Sequence, residues 1–257
     1  MTPSITQSNV LAALRSFLIA VLPTVGSDGK PISVLAAQQN RVPEPSGADF
    51  VILTPVRRPR IETNIDSYAD AKFTGSISGS TMTIIYVYPQ FTGEIGVGST
   101  IFGVGVASNT TVSALGPNTS GGIGTYTINP PQSVGSTTLS AGTESIEQPT
   151  EMVIQIDAHS ANVLDSGDMI QTISTLARDE FATSFFAELD PPLNSVVPLH
   201  CDDPAQRPFY NTAENTWETR WVVDFHLQAN PVISVPTEFA DTIAVELVDV
   251  DVVFPAG

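Results

Sequence analysis

Apolar and polar residues alternate along 216–230. Trp217, Thr219, Trp221, Val223, Phe225, Leu227 and Ala229 fall on one side of an extended chain, and Glu218, Arg220, Asp224, His226 and Gln228 fall on the other. A period of two over so long a run predicts a β-strand with one buried face. The run holds both tryptophans of the protein, and aromatic side chains of that size dominate any core they enter. We take Trp217, Trp221, Val223, Phe225 and Leu227 as the sheet core. A second long strand is expected over 242–254, where Val248, Val250, Val252 and Phe254 share a face, and the two strands are expected to form the centre of the sheet.

Elsewhere the period lengthens. Val10, Leu11, Leu14, Phe17, Leu18 and Val21 recur at helical spacing between a cap at Thr6 or Ser8 and a stop at Pro23. An edge strand over 31–38 and a short buried strand over 49–54, closed by Pro55, are expected next. Residues 152–159 alternate as a strand. Beyond them Ser160 or Asp165 can cap a second helix whose stripe is Met169, Ile170, Ile173, Leu176, Ala177 and Phe181. Residues 196–201 give one more short extended piece, and 202–216 are expected as a loop.

The intervening segment has another character. Residues 72–147 hold 13 of the 18 glycines but only four charged residues, Lys72, Glu94, Glu144 and Glu147. Short runs of Thr, Ile, Val and Tyr alternate there with Gly, Ser, Asn and Pro turns, and the tripeptide Gly-Ser-Thr recurs at 79, 98 and 135. This predicts a small, sandwich-like all-β module at 72–147. It would be inserted peripherally into a discontinuous α+β domain made of 1–71 and 148–257, because the flanks supply complementary helices and strands. The expected fold class is α+β: a mainly antiparallel sheet with two helices packed on one face, plus the inserted module.

Charge narrows the function. The chain of 257 residues has a formal net charge of −17 and a pI near 4.2. That balance argues against a module that neutralises nucleic-acid phosphates, but not against a wall past which DNA slides without binding. One cysteine, Cys201, excludes an internal disulfide. No apolar run approaches a membrane span, and no basic region with an apolar run and cleavage site opens the chain, so a protein made in a cytoplasm is expected.

Candidate chemistry is sparse. Nucleophile-elbow, phosphate-loop, dinucleotide and H-E-x-x-H motifs are absent from the sequence. Two clusters invite a metal reading, His200-Cys201-Asp202-Asp203 and Asp157 with His159. With three histidines in the chain, we read the first as a turn braced by its carboxylates and the second as strand residues. Asp249 and Asp251 are read as a wet strand face. The expectation is therefore no catalytic residue, no metal, no cofactor and no enzyme activity. The sequons at Asn109 and Asn118 are read as turn residues.

Two stretches suggest contacts with other subunits. Arg57, Arg58 and Arg60 are three of only ten basic residues, and an acidic second copy would complement them. Val232, Ile233, Val235 and Phe239 form an apolar arm punctuated by prolines, which needs a place to dock.

Several segments together resemble the tail-terminator or neck proteins of tailed bacteriophages. They are FLIAVLP near the N-terminus, AQQNRVPEP, TNIDSY, the strand and helix IQIDAHSANVLDSGDMIQTISTLARDEF, the loop DDPAQRPFYN, and WETRWVVDFHLQANPVISVPTEFAD. The segment 72–147 resembles Gly/Ser/Thr-rich β modules grafted into phage virion proteins. The resemblance implies a virion structural protein that forms a ring, commonly a hexamer, at the head-proximal end of the tail. Its implied partners are further copies of itself, the tail tube protein, a neck, stopper or connector protein, and the sheath where the tail is contractile. DNA would pass through without specific binding, and no membrane is involved. Two other readings stay open: another neck or tail part such as a stopper or tube protein, and a glycan-binding host-recognition protein acting through the insert.

Overall fold

The computed structural model describes residues 2–37, 45, 47–117, 119–160, 163–211 and 216–238. In chain order the elements are α1 (Gln7–Val21), β1 (Ser33–Ala36), β2 (Phe50–Arg57), β3 (Ile65–Val87), β4 (Phe102–Gly103), β5 (Thr111–Leu115) and β6 (Gly124–Glu147). There follow β7 (Thr150–Ser160), α2 (Val163–Ala177), α3 (Glu180–Ala187), β8 (Val197–Cys201), β9 (Ala205–Gln206), β10 (Phe209–Asn211), β11 (Thr216–Ala229) and β12 (Val232–Thr237). The chain forms two compact units. One combines the residues up to Asp66 with Ile146–Ser234, and the other is built around Ser67–Ser145. The class is α+β, with mainly antiparallel sheets.

In the first unit the strand order is β1-β2-β7-β11-β10, with β8 and β9 also pairing β11. All these pairings are antiparallel except β1 with β2. Helix α1 starts where expected: the Thr6 hydroxyl accepts from the Asn9 backbone N–H at 3.3 Å, and the Asn9 side-chain Oδ1 accepts from the Thr6 N–H at 2.8 Å. This reciprocal box satisfies donors that a helix start leaves orphaned. The helices lay Leu14, Phe17 and Leu18 of α1, Ile170 and Ile173 of α2, and Phe186 of α3 onto Val51, Leu53, Ile154, Ile156, Val223, Phe225 and Leu227. All three helices thus cover one face of the sheet.

The structure revises several expectations. The second helix is broken: α2 stops at Ala177, and Asp179 caps α3 by accepting from the Phe181 N–H at 3.0 Å. Phe181 therefore leaves the α2 stripe and stands 43% exposed, while Phe186 takes the buried position. Strand β2 runs through Pro55 to Arg57, and its pairing with β7 shifts between those residues. A bulge there lets a residue without an N–H sit inside a ladder. The expected 202–216 loop contains β9 and β10, which pair with the margin of β11. The centre of the sheet is β7 beside β11, and β11 has neighbours on both sides, β7 on one and β8, β9 and β10 on the other. The strand expected over 242–254 lies outside the described residues, as does Phe239.

The second unit is all β: β6 pairs β3, β4 and β5, and β12, whose first three residues belong to the first unit, pairs β6 as well. Long strands replace many of the short ones expected. Strand β3 turns back at Gly79, whose φ of +61° suits glycine. Gly75 then lies against Thr83 and Ile84, and the Tyr88 N–H donates to the Lys72 carbonyl. Gly98, the second Gly-Ser-Thr position, also has positive φ (+93°), and Asn109 of the first sequon sits in the left-handed region at +60°. The core joins Phe73, Met82, Ile84, Ile101, Tyr126 and Leu139, among others. Where the chain enters and leaves this unit, Ser67 Oγ donates to the Ser145 carbonyl at 3.5 Å and Tyr68 OH donates to Glu144 at 3.1 Å.

Candidate functional site

The face of the first sheet away from the helices carries the charged residues. Alternation along β7 places Glu151, Gln155, Asp157 and His159 there, and the register sets Gln228, Asp224, Val222 and Arg220 opposite them on β11. The face was expected to be wet, but Val222 and His226 are buried as well as Val223, Phe225 and Leu227 on the core face. Trp221 is half-buried against the core, close to Gly167 of α2. The Trp217 backbone pairs with Tyr210, and its side chain is outside what is described.

Charge on this face is paired. Arg220 donates from Nε to Asp157 Oδ1 at 2.9 Å and from Nη2 to the same oxygen, and the Asp157 side chain is only 4% exposed. A carboxylate buried to that degree needs such a partner. Gln155 donates to Asp224 at 3.2 Å. His159 stacks on Phe50 with centroids 4.6 Å apart. The Asp157 and His159 pair suggested by sequence thus shares a face, but Asp157 is engaged by Arg220.

The His200–Asp203 cluster separates by strand alternation. His200 lies opposite His226, and Cys201 lies opposite Phe225 on the core side. Burial pushes the Cys201 thiol up to about 12, which keeps it protonated and a poor ligand. Asp203 turns to Arg178, at 2.8 Å. His200 and Asp202 instead meet His226, a residue that sequence reading had placed only on a solvated face. Their donor atoms lie within 4.8 Å of one another. The His200 and His226 rings stack at 3.9 Å, and Glu151 holds His226 at Nδ1. The missed signal was register: His200 and His226 have the parity that brings them together only once β8 is paired with β11.

The two expected contact stretches have different settings. Arg57, Arg58 and Arg60 are exposed, and Arg60 donates to Asn64 at 3.0 Å. Arg57 and Arg58 line a cleft of about 200 Å³ with Gln7, Val56 and Val153. Val232, Ile233 and Val235 lie on β12, whose backbone pairs with β6 of the same chain. Among the described residues β12 is a sheet margin, and Ile233 is 40% exposed. A larger cleft of about 280 Å³ lies between the segment after α1 and helix α2, and includes Asp49, Asp165 and Asp168. Asp49 there accepts hydrogen bonds from Ser27 and Ser160. Among the described residues no helix is long and apolar enough to cross a membrane.

The sequence profile of one family, described as phage neck terminator protein, matches residues 102–254. No curated protein matches the chain in sequence. The matched span begins inside the second unit, at β4, and takes in β7, α2, α3 and the β11–β12 region, which include the polar sheet face and the apolar margin described above. With more than half of its length matched, the chain belongs to the phage neck terminator protein family, and its role is a structural one in the neck or tail of a phage particle.

Proposed function

We propose that the chain forms a closed ring, a hexamer, that caps the head-proximal end of the tail tube and joins it to the head-neck connector. The family match carries this reading, and three features of the chain support it. A ring needs head-to-tail contacts between two different patches of one surface. Strand β12 is the last strand of its sheet among the described residues and exposes Ile233, and the exposed Arg57, Arg58 and Arg60 offer positive charge in a chain of net charge −17. An exposed apolar side chain on one subunit and a basic patch on the other are the kinds of unlike surface that such a contact joins. The acidic surface suits a bore that repels phosphate and lets DNA pass without adhering.

In the same reading the second unit is an inserted module on the outside of the ring. Its partners are further copies of this chain, the tail tube protein and a stopper or connector protein, with a sheath where the tail contracts. Native mass spectrometry of the purified protein, with negative-stain images, tests the proposal. The expected result is one closed hexameric ring, reduced to smaller species by Arg57→Glu or Ile233→Asp in a chain that still folds. Open-ended stacks of rings would point to a tube protein instead. A monomer at every concentration, unaffected by either substitution, would overturn the reading.

A further inference from the structure

We propose that His200, Asp202 and His226 form a binding site for a divalent transition-metal ion of the zinc type, with Glu151 orienting His226 from behind. The pairing of β8 with β11 sets the two histidines opposite each other with their rings stacked. Just past the end of β8, the Asp202 N–H donates to the Asp224 carbonyl at 2.9 Å, which anchors the chain where it turns. The Asp202 carboxylate comes back over the pair, with Oδ1 at 3.5 Å from His226 Nε2 and 3.8 Å from His200 Nε2. A tetrahedral zinc ion with ligand bonds of about 2.0–2.1 Å needs its donor atoms roughly 3.3–3.5 Å apart; both carboxylate distances are near this, and the exposed His200 ring must splay from the stack for the two nitrogens to converge.

A second observation points the same way. The His226 side chain is 5% exposed, and its Nε2 is buried without a hydrogen-bond partner. With Glu151 accepting from Nδ1–H, the neutral imidazole presents its lone pair at Nε2. That lone pair faces the Asp202 carboxylate oxygen at 3.5 Å, and two acceptors set against each other, one of them buried, are satisfied by a cation between them. A carboxylate behind a histidine is also the usual arrangement that fixes the tautomer of a metal ligand and raises its basicity. Two imidazole nitrogens and one carboxylate suit zinc and its neighbours rather than calcium or magnesium. His200 and Asp202 are more than half exposed, which leaves the remaining coordination positions open to water. The ion would fasten β8 and the turn after it to β11.

The test is calorimetric titration of the full chain, stripped with a chelator, with zinc chloride near neutral pH. A parallel cobalt titration, followed by visible absorption, reports coordination. The expected result is one ion per chain. Affinity should fall at least about 10- to 100-fold in His200→Gln and in Asp202→Asn, since losing a ligand costs no less than losing the group that supports one. His226→Gln should abolish binding, but its burial can disturb the fold, so the two exposed substitutions decide the matter, with circular dichroism as control. Wild-type protein that takes up no zinc, or that binds it as well as the His200→Gln/Asp202→Asn double variant, would overturn the proposal.

Discussion

The two units build order from opposite materials. In the first, large side chains fill the space between helices and sheet: Phe17 lies 5.6 Å from Phe186 and 6.0 Å from Phe225 between ring centroids, and all three are buried. In the second, backbone is packed against backbone. A Cβ on Gly93 would stand 2.6 Å from the Asp70 carbonyl carbon, and one on Gly75 would stand 2.7 Å from the Thr83 oxygen. Polar groups follow the same division. The first unit buries the Asp157–Arg220 ion pair, whereas the second relies on neutral groups such as Thr110 to the Ala107 carbonyl and Gln132 to Thr110. A glycine-rich, nearly uncharged segment is therefore not a loose one; its specificity lies in how closely strands and turns approach.

The sharpest way to break this comparison is to empty each core. Phe17→Ala and Phe73→Ala each remove a fully buried ring, and each should destabilise its own unit by about 3–5 kcal/mol. Scanning calorimetry should show each variant lowering a different transition; one shared transition lowered equally by both would erase the distinction. Next in size is Arg220→Ala, which leaves Asp157 buried and unpaired, at an expected loss of about 3 kcal/mol in urea unfolding of the first unit. An effect below about 1 kcal/mol would mean that water reaches Asp157.

Gly93→Ala sharpens the claim about the second unit. The added methyl meets rigid backbone, so a loss of about 1–3 kcal/mol is expected. Gly122→Ala, with nothing within 4 Å, should stay within about 0.5 kcal/mol and serves as control. The effect that vanishes at neutral pH is confined to alkaline solution. The Cys201 thiol is raised from 9.0 to about 12 by burial, so the protonated form is favoured by folding. The stability it lends is complete below about 9 and is lost as pH rises through about 12. Thiol-reactive dye should label Cys201 slowly in native protein at mildly alkaline pH and rapidly in urea; equal rates would refute its burial.

Much of the first unit was legible because its signals are periodic. The helical spacing of Leu14 and Phe17 and the alternation through Val223, Phe225 and Leu227 survive in the structure as buried faces. The break between α2 and α3 was not legible, since Phe181 continues the apolar stripe and only the capping geometry of Asp179 ends it. Pro55 misled in the other direction, because a bulge accommodates it within β2. For the second unit, turns were readable at Gly79 and Gly98, but which strands ran on past them was not. At the candidate metal site the three side chains come from two strands and a turn. Their meeting depends on how β8 registers against β11, which no local pattern encodes.

The fastening of Ser67 to Ser145 and of Tyr68 to Glu144 bears on how the chain reaches this state at all. Strand β7 must find β2 across everything between Arg57 and Thr150. Non-local pairing of that kind slows folding, because loop-closure entropy is lost before contacts repay it. If the second unit folds early, its clasped ends shorten the effective tether, and the search becomes that of two strands joined by a brief connection. Each halving of the tether is worth only about 0.6 kcal/mol, so the advantage is one of rate and order of events: a growing chain can pair β3 to β6 of its glycine-rich segment before the central ladder closes.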